Sequence, residues 1–313
     1  MPDSLPSSAP QPAPANYRGI FAMLGATAAF VLGDATMKKA SEQLPIGEVI
    51  FLRGLIAMPI VWYLAYRTRA IGVLITIPKK LLAWRSLGDA GGSLTYMSAL
   101  ARMPFADVGA ILQLNPLLVT AGAAIFLKET VGWRRWLATL IGLLGVLLII
   151  QPGSSAFTWV SLVVIASVLF STMRDLVTRS LPPGMPTVLI TATATTSISL
   201  GALLFAPFES WQWPSTAQFL MLVFPAVCML LGQALVVISI RSGDLSAVVP
   251  FRYAAILWSL LLSYLIWGYI PDSTKFAGIV IVTIAGLYVF FREQRLYLRN
   301  RSAARSDPST RAE

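Results

Sequence analysis

The sequence contains no histidine, a single cysteine and only 14 acidic residues among 313. Without imidazole it lacks the side chain that most often shuttles protons or ligates metals near neutral pH. Cys228 alone can form neither a disulfide framework nor a thiolate-ligated cluster, and its place in an apolar run suits a small buried filler. No Gly-x-x-x-x-Gly-Lys-Ser/Thr loop exists to cradle nucleotide phosphates. No Ser/His/Asp set, HExxH motif or paired catalytic carboxylates occurs, so an enzyme is not expected, nor a metal or cofactor. Residues 1–17 lack the apolar core and cleavage site of a signal peptide and read as a disordered cytosolic tail rich in Pro, Ser and Ala.

Charge is scarce too. Only 12% of residues are charged against 56% hydrophobic, with mean hydropathy +0.72, a balance that places the chain in a lipid bilayer. A span needs roughly 20 mostly apolar residues. Ten stretches qualify: 19–37, 46–66, 84–101, 105–126, 136–150, 158–177, 187–205, 217–240, 245–267 and 276–291. The expected fold is an all-α integral membrane protein.

The net charge of +10 could point to nucleic acid, but the basic residues follow the loops instead of clustering on one face. No nucleic-acid partner is expected. With the N-terminus inside, 17 basic residues, Arg85 among them, fall in cytosolic segments; four, Lys38, Lys39, Arg102 and Lys275, fall outside. That bias puts both termini in the cytosol.

Five spans precede Gln151-Pro-Gly-Ser-Ser155 and five follow it, so the halves run oppositely through the membrane. A shift of 140 aligns Phe30 with Phe170 and Lys39 with Arg179; a shift of 139 aligns Arg102 with Arg241 and Gln113 with Arg252. The division is 18–151 and 156–293 as two five-helix repeats, with 294–313 as a basic tail. Gly142, Gly145, Gly278 and Gly286 supply small faces for close helix packing. Pro104, Pro116 and Pro250 mark places where a helix could break and bare its carbonyls to a cavity.

An ionisable group inside a span costs a few kcal/mol, which makes each one a candidate. Arg252, eight residues into its span, could hold a carboxylate, a phosphate or a flat polar ring, or else pair with Asp89 or Asp107. Gln113 and Asn115 project at matching depth, as substrate amides or as helix glue. Gln233, Tyr96 and Trp258 complete the proposed ring, while Tyr264 and Trp267 suit an interfacial belt. Asp34 and Lys38, four apart, suit an ion pair, with Asp34 alternatively a coupling carboxylate. Arg53 reads as structural, and Arg174 and Asp175 as interfacial.

The chain resembles the drug/metabolite transporter superfamily of EamA type. The resemblance rests on Ala99-Leu-Ala-Arg102, Ala106-Asp-Val-Gly-Ala110, Leu114-Asn-Pro116, Leu127-Lys-Glu129 and the Gly142/Gly145 helix, then on Ser246-Ala-Val-Val-Pro250 and the Gly278/Gly286 helix. It departs from the pattern where Tyr269, not Glu, follows Gly268. The resemblance implies two inverted five-helix repeats and gradient-driven transport of a small organic metabolite by a monomer or homodimer in a bacterial inner membrane. Asp34-Ala-x-x-Lys38, Arg53-Gly and Pro250-Phe-Arg-Tyr253 are most similar to riboflavin importers and S-adenosylmethionine transporters. Riboflavin uptake is the first expectation, and an amino-acid or amine exporter, or an S-adenosylmethionine transporter, the alternative.

Overall fold

A computed structural model describes residues 17–128, 132–153, 158–182, 185–241 and 248–306. The 1–16 tail, Glu129, the 154–157 segment and Ser246 of the sequence motifs lie outside the described residues. Every regular element described is helical: α1 (Tyr17–Ala40), α2 (Ile46–Arg67), α3 (Lys79–Leu100), α4 (Phe105–Leu112), α5 (Asn115–Phe126), α6 (Trp133–Ile150), α7 (Val160–Arg179), α8 (Thr187–Ala202), α9 (Thr216–Arg241), α10 (Ala254–Trp267) and α11 (Ser273–Ser306). Short 3-10 segments cover Ala70–Thr76, Leu203–Phe208 and Val249–Tyr253. Among the described residues nine helical stretches are long and apolar enough to cross a membrane, counting α4 with α5 as one. The stretch outside that count is α3, whose buried Arg85 and Asp89 lower its hydropathy.

Proline sets many of the helix starts. Pro45, Pro78, Pro104 and Pro186 each sit at the N-cap of the helix that follows, where the fixed φ suits helix entry and a missing N–H leaves no intrahelical bond unmade. At the other extreme, α10 ends on Gly268 at φ +63, a left-handed position natural to glycine, which turns the chain sharply into Tyr269. After Glu293 the backbone continues helically to Ser306, through a segment rich in Arg, Leu and Ala, residues of high helix propensity.

The principal neighbours are α1 with α9, α3 with α7, α6 with α11, and α2 with α8. Lesser pairs join α5 to α7 and α1 to α10, α3 to α8 and α2 to α9. Exchanging each span with the one five places away carries this set onto itself: α6–α11 and α2–α8 each onto themselves, the other six pairs onto one another. Close approach is clearest between α6 and α11: a Cβ on Gly278 would lie 2.5 Å from the Gly145 carbonyl oxygen, and one on Gly145 3.0 Å from that of Gly278. Helices in lipid gain little from apolar burial, so backbone contact of this kind supplies van der Waals attraction in its place.

Candidate functional site

Two of the spans are interrupted at matching places. The expected helix 105–126 breaks at Gln113-Leu114, where Gln113 N–H and Leu114 N–H bond three residues back, to Ala110 and Ile111, at 3.2 and 3.0 Å. Pro116 explains the break, since its ring crowds the carbonyl four residues earlier and it has no N–H to return. In the second half the 3-10 turn Val249–Tyr253, with Pro250 inside it, interrupts the expected ninth span ahead of α10. Gln113 and Arg252 therefore sit at irregular backbone, where polar groups within a membrane face protein or water and not lipid.

Both line a cavity of about 640 Å³, together with Asp34 from α1, Tyr96 from α3, Asn115 from α5 and Asp175 and Arg179 from α7. Phe30, Phe105, Ser259 and Phe290 are among its remaining walls. The volume falls within the roughly 300–1,000 Å³ typical of small-molecule sites. Gln233 and Trp258 lie elsewhere: neither is among the cavity-lining residues, and the indole N–H of Trp258 is buried with no hydrogen-bond partner among the described residues.

The polar lining divides into engaged and disengaged groups. Arg252 is exposed and makes no ion pair or hydrogen bond among the described residues. Its suggested partners are taken: Asp89 pairs with Arg85 at 2.7 Å, and Asp107 with Lys275 at 2.9 Å. Gln113 is half-buried and its amide likewise has no recorded partner among those residues. Asp34 accepts a 2.8 Å hydrogen bond from the Tyr96 hydroxyl, with the Arg53 guanidinium in electrostatic range. Asn115 is engaged at both ends of its amide: its Nδ2 donates to Asp175 at 2.8 Å and its Oδ1 accepts from Thr172 at 3.1 Å.

One expectation fails here, and a second set of charges has partners the sequence did not show. Lys38 does not pair with Asp34; its ammonium donates to the carbonyls of Leu100 and Met103, at 2.5 and 2.7 Å, and caps the end of α3. A helix C-terminus presents free carbonyls and a negative dipole end, so the main chain competes well with a carboxylate. Arg85, counted with the cytosolic charges, and Arg174 and Asp175, read as interfacial, are engaged between helices. Arg174 bonds Asp175 at 2.9 Å and reaches Asp89 at 3.9 Å, while Arg85 bonds Asp89 and, through Nε, the Thr178 hydroxyl at 3.1 Å. These four balanced charges tie α3 to α7, and Asn115 extends the tie to α5. The sequence signal was the spacing of Arg85 and Asp89, one turn apart on a glycine-rich helix face.

Comparison with known proteins gives a coherent set. Residues 17–151 match the EamA-like transporter family. A riboflavin transporter of Vibrio cholerae is 26% identical over 293 residues, covering 92% of this chain and 97% of its own. A pseudopaline exporter of Pseudomonas aeruginosa is 26% identical, covering 85% and 94%, and an S-adenosylmethionine uptake transporter of Rickettsia bellii is 23% identical, covering 58% and 62%. A solved crystal structure with 21% identity superimposes at a TM-score of 0.58 over 88% of this chain and 98% of that one, which shows a shared fold. A multi-pass helical bundle with a polar cavity at its broken helices, a match to the EamA-like transporter family over residues 17–151 and similarity to transporters along most of its length is a membrane transporter whose first half is EamA-like.

Proposed function

We propose that the chain is a secondary transporter of the bacterial inner membrane that takes up riboflavin by alternating access. The observation carrying this reading is the disengaged pair Arg252 and Gln113, set on the two broken spans of one cavity. A guanidinium and a primary amide together offer donors and an acceptor to the carbonyl-rich edge of a planar ring, and the guanidinium can also stack on its face. Phe30 and Phe290 supply apolar walls for such a ring, while Asp34 and Tyr96 offer polar contacts to a polyol. The interchange of neighbours between the halves supports two inverted repeats, 18–151 and 156–293, rocking about that site. The charge bias of the loops supports cytosolic termini.

The test is growth of a riboflavin-auxotrophic bacterium expressing the protein at micromolar vitamin, together with uptake of labelled riboflavin into proteoliposomes. Rescue with saturable uptake is expected. Absence of both would overturn the substrate and leave the fold and the class of transporter standing. A second reading, export of a zwitterionic amino-acid-like metabolite, has its own support in a cavity holding both carboxylates and guanidiniums, and in the match to an exporter over 94% of its length. Competition of uptake by amino acids but not by flavins would favour it.

A further inference from the structure

The cavity does not sit at the centre of the bundle. From Asp34 and Tyr96 in the last third of α1 and α3, and Ser259 midway along α10, its lining runs to Met23 early in α1, Arg179 at the end of α7 and Phe290 near the end of the apolar stretch Ser273–Arg292 of α11. These positions define a near end of the bundle. At the opposite, far end α1, α3 and α10 terminate and α4 and α11 begin, and there polar bonds cross from one half of the chain to the other.

Asp107, in the first turn of α4, is almost fully buried. It accepts hydrogen bonds from the Tyr269 hydroxyl, 2.9 Å to each carboxylate oxygen, and from Lys275 Nζ at 2.9 Å. Lys275 Nζ also donates to the Tyr269 oxygen at 3.1 Å, closing a triangle. Immediately inside it, the Phe105 ring, which lines the cavity, stacks on Trp267 with centroids 5.6 Å apart. The Trp267 indole N–H donates to Glu42 at 2.8 Å, and the Lys38 ammonium lies 5.5 Å over its ring.

We propose that Asp107, Tyr269 and Lys275 are positioning residues that form the far gate of the transport cycle, with the Phe105–Trp267 stack as the wall between gate and cavity. This rests on the alternating-access reading. The division of bonds between halves says what moves. Lys38 and the α3 carbonyls it caps belong to the first half and stay together. The Asp107 triangle joins α4 of the first half to the α10–α11 turn of the second, so parting the halves breaks it. Each member retains stabilisation when it does: Asp107 keeps the favourable N-terminal end of α4, and Tyr269 and Lys275, on or beside a turn, meet water. Burial, with the nearby Asp107 carboxylate adding to it, pushes the Tyr269 hydroxyl up to about 12, so it remains a donor throughout the neutral range. Tyr269 occupies the place where the family pattern has an acid. A phenol there can bond a carboxylate on the facing helix; a second acid would repel it.

The experiment uses the full chain with Cys228→Ser and a reporter Ser259→Cys on the cavity wall. It measures labelling by a membrane-impermeant maleimide in right-side-out and inside-out vesicles. The parent should label from the face where α1 begins. Tyr269→Phe and Asp107→Asn should raise labelling from the opposite face at least about fivefold, the lower end of ordinary conformational coupling, and Lys275→Arg, which keeps the charge, should label as the parent does. Tyr269→Phe removes one hydroxyl at a turn and leaves helix packing intact, so it reports even if Asp107→Asn does not insert. Far-face labelling unchanged in Tyr269→Phe would overturn the gate. Equal labelling of the parent from both faces would instead overturn alternating access itself.

Discussion

The two ends of the bundle hold the halves together by different means. At the far end the contacts lie at helix termini and turns: the Asp107 triangle, Trp267 on Glu42, the Gln212 N–H on Glu48, the Gly47 N–H on Glu209, and Gln151 on Asp272. Toward the near end the polar contacts sit within helices, with the charged ones on the face where α3, α5 and α7 meet, while α1, α10 and α11 line the cavity. Bonds at helix ends can be exchanged for water. Charges buried between helices in a membrane have no such replacement, and their separation costs several kcal/mol each. The difference assigns the α3–α7 seam to the part that stays fixed and the far end to the part that opens.

The strongest way to break that contrast is at the seam. Asp89 is 4% exposed and serves two guanidiniums, so Asp89→Ala leaves Arg85 and Arg174 competing for Asp175 alone. The expected loss is about 3–5 kcal/mol, seen as a large drop in the melting temperature of the detergent-solubilised protein. Asp107→Asn at the far end, which keeps an acceptor for Tyr269 and Lys275, should lower it much less. Comparable drops would show that both ends are scaffold.

Next in size is the loss of Arg252. Its guanidinium has no partner among the described residues to strand, so Arg252→Ala should change stability by less than about 0.5 kcal/mol. Uptake should fall about tenfold to a hundredfold, the equivalent of charge-assisted hydrogen bonds worth about 1.5–3 kcal/mol. Arg252→Ala with unchanged uptake and normal insertion would remove Arg252 from the site. Gln113 and Asn115, two residues apart, should then separate cleanly. Gln113→Ala should cost uptake about three- to tenfold with little change in melting, because its amide is free to meet substrate. Asn115→Ala should lower the melting temperature, since it unties Thr172 and Asp175 from α5.

These contrasts also show what a sequence can and cannot carry. Arg252 stood out because a lone cation in an apolar run is expensive, and the breaks in its span and in that of Gln113 were marked by Pro250 and Pro116. The seam was not legible for the converse reason. A hydropathy window cannot distinguish Arg85 at a membrane surface from Arg85 buried against α7, because its charge partner Asp89 is one turn away in either case and the helix that buries it, with Thr178, comes from 93 residues away. Lys38 was harder still, for it bonds main-chain carbonyls 62 and 65 residues distant, and no side-chain pattern announces them. Tyr269 was visible only as a departure from the family pattern, with nothing in its neighbourhood to name Asp107 as the reason.

The smallest expected effect tests where the cavity ends. Gln233 is half-buried in α9 and Trp258 packs against the core from α10, yet neither lines the cavity. Sequence depth alone groups them with Arg252 and Gln113; helix rotation separates them, since a displacement of a few residues along a helix turns a side chain to another face. Gln233→Ala should therefore leave the Michaelis constant for uptake unchanged and shift stability by less than about 0.5 kcal/mol. Trp258→Phe should behave alike in transport, and removal of an indole N–H that has no recorded acceptor should not lower stability. A raised Michaelis constant in either variant, with melting unaltered, would mean that the substrate reaches past this cavity when the far end opens, and the boundary between fixed seam and moving gate would have to be redrawn to include α9.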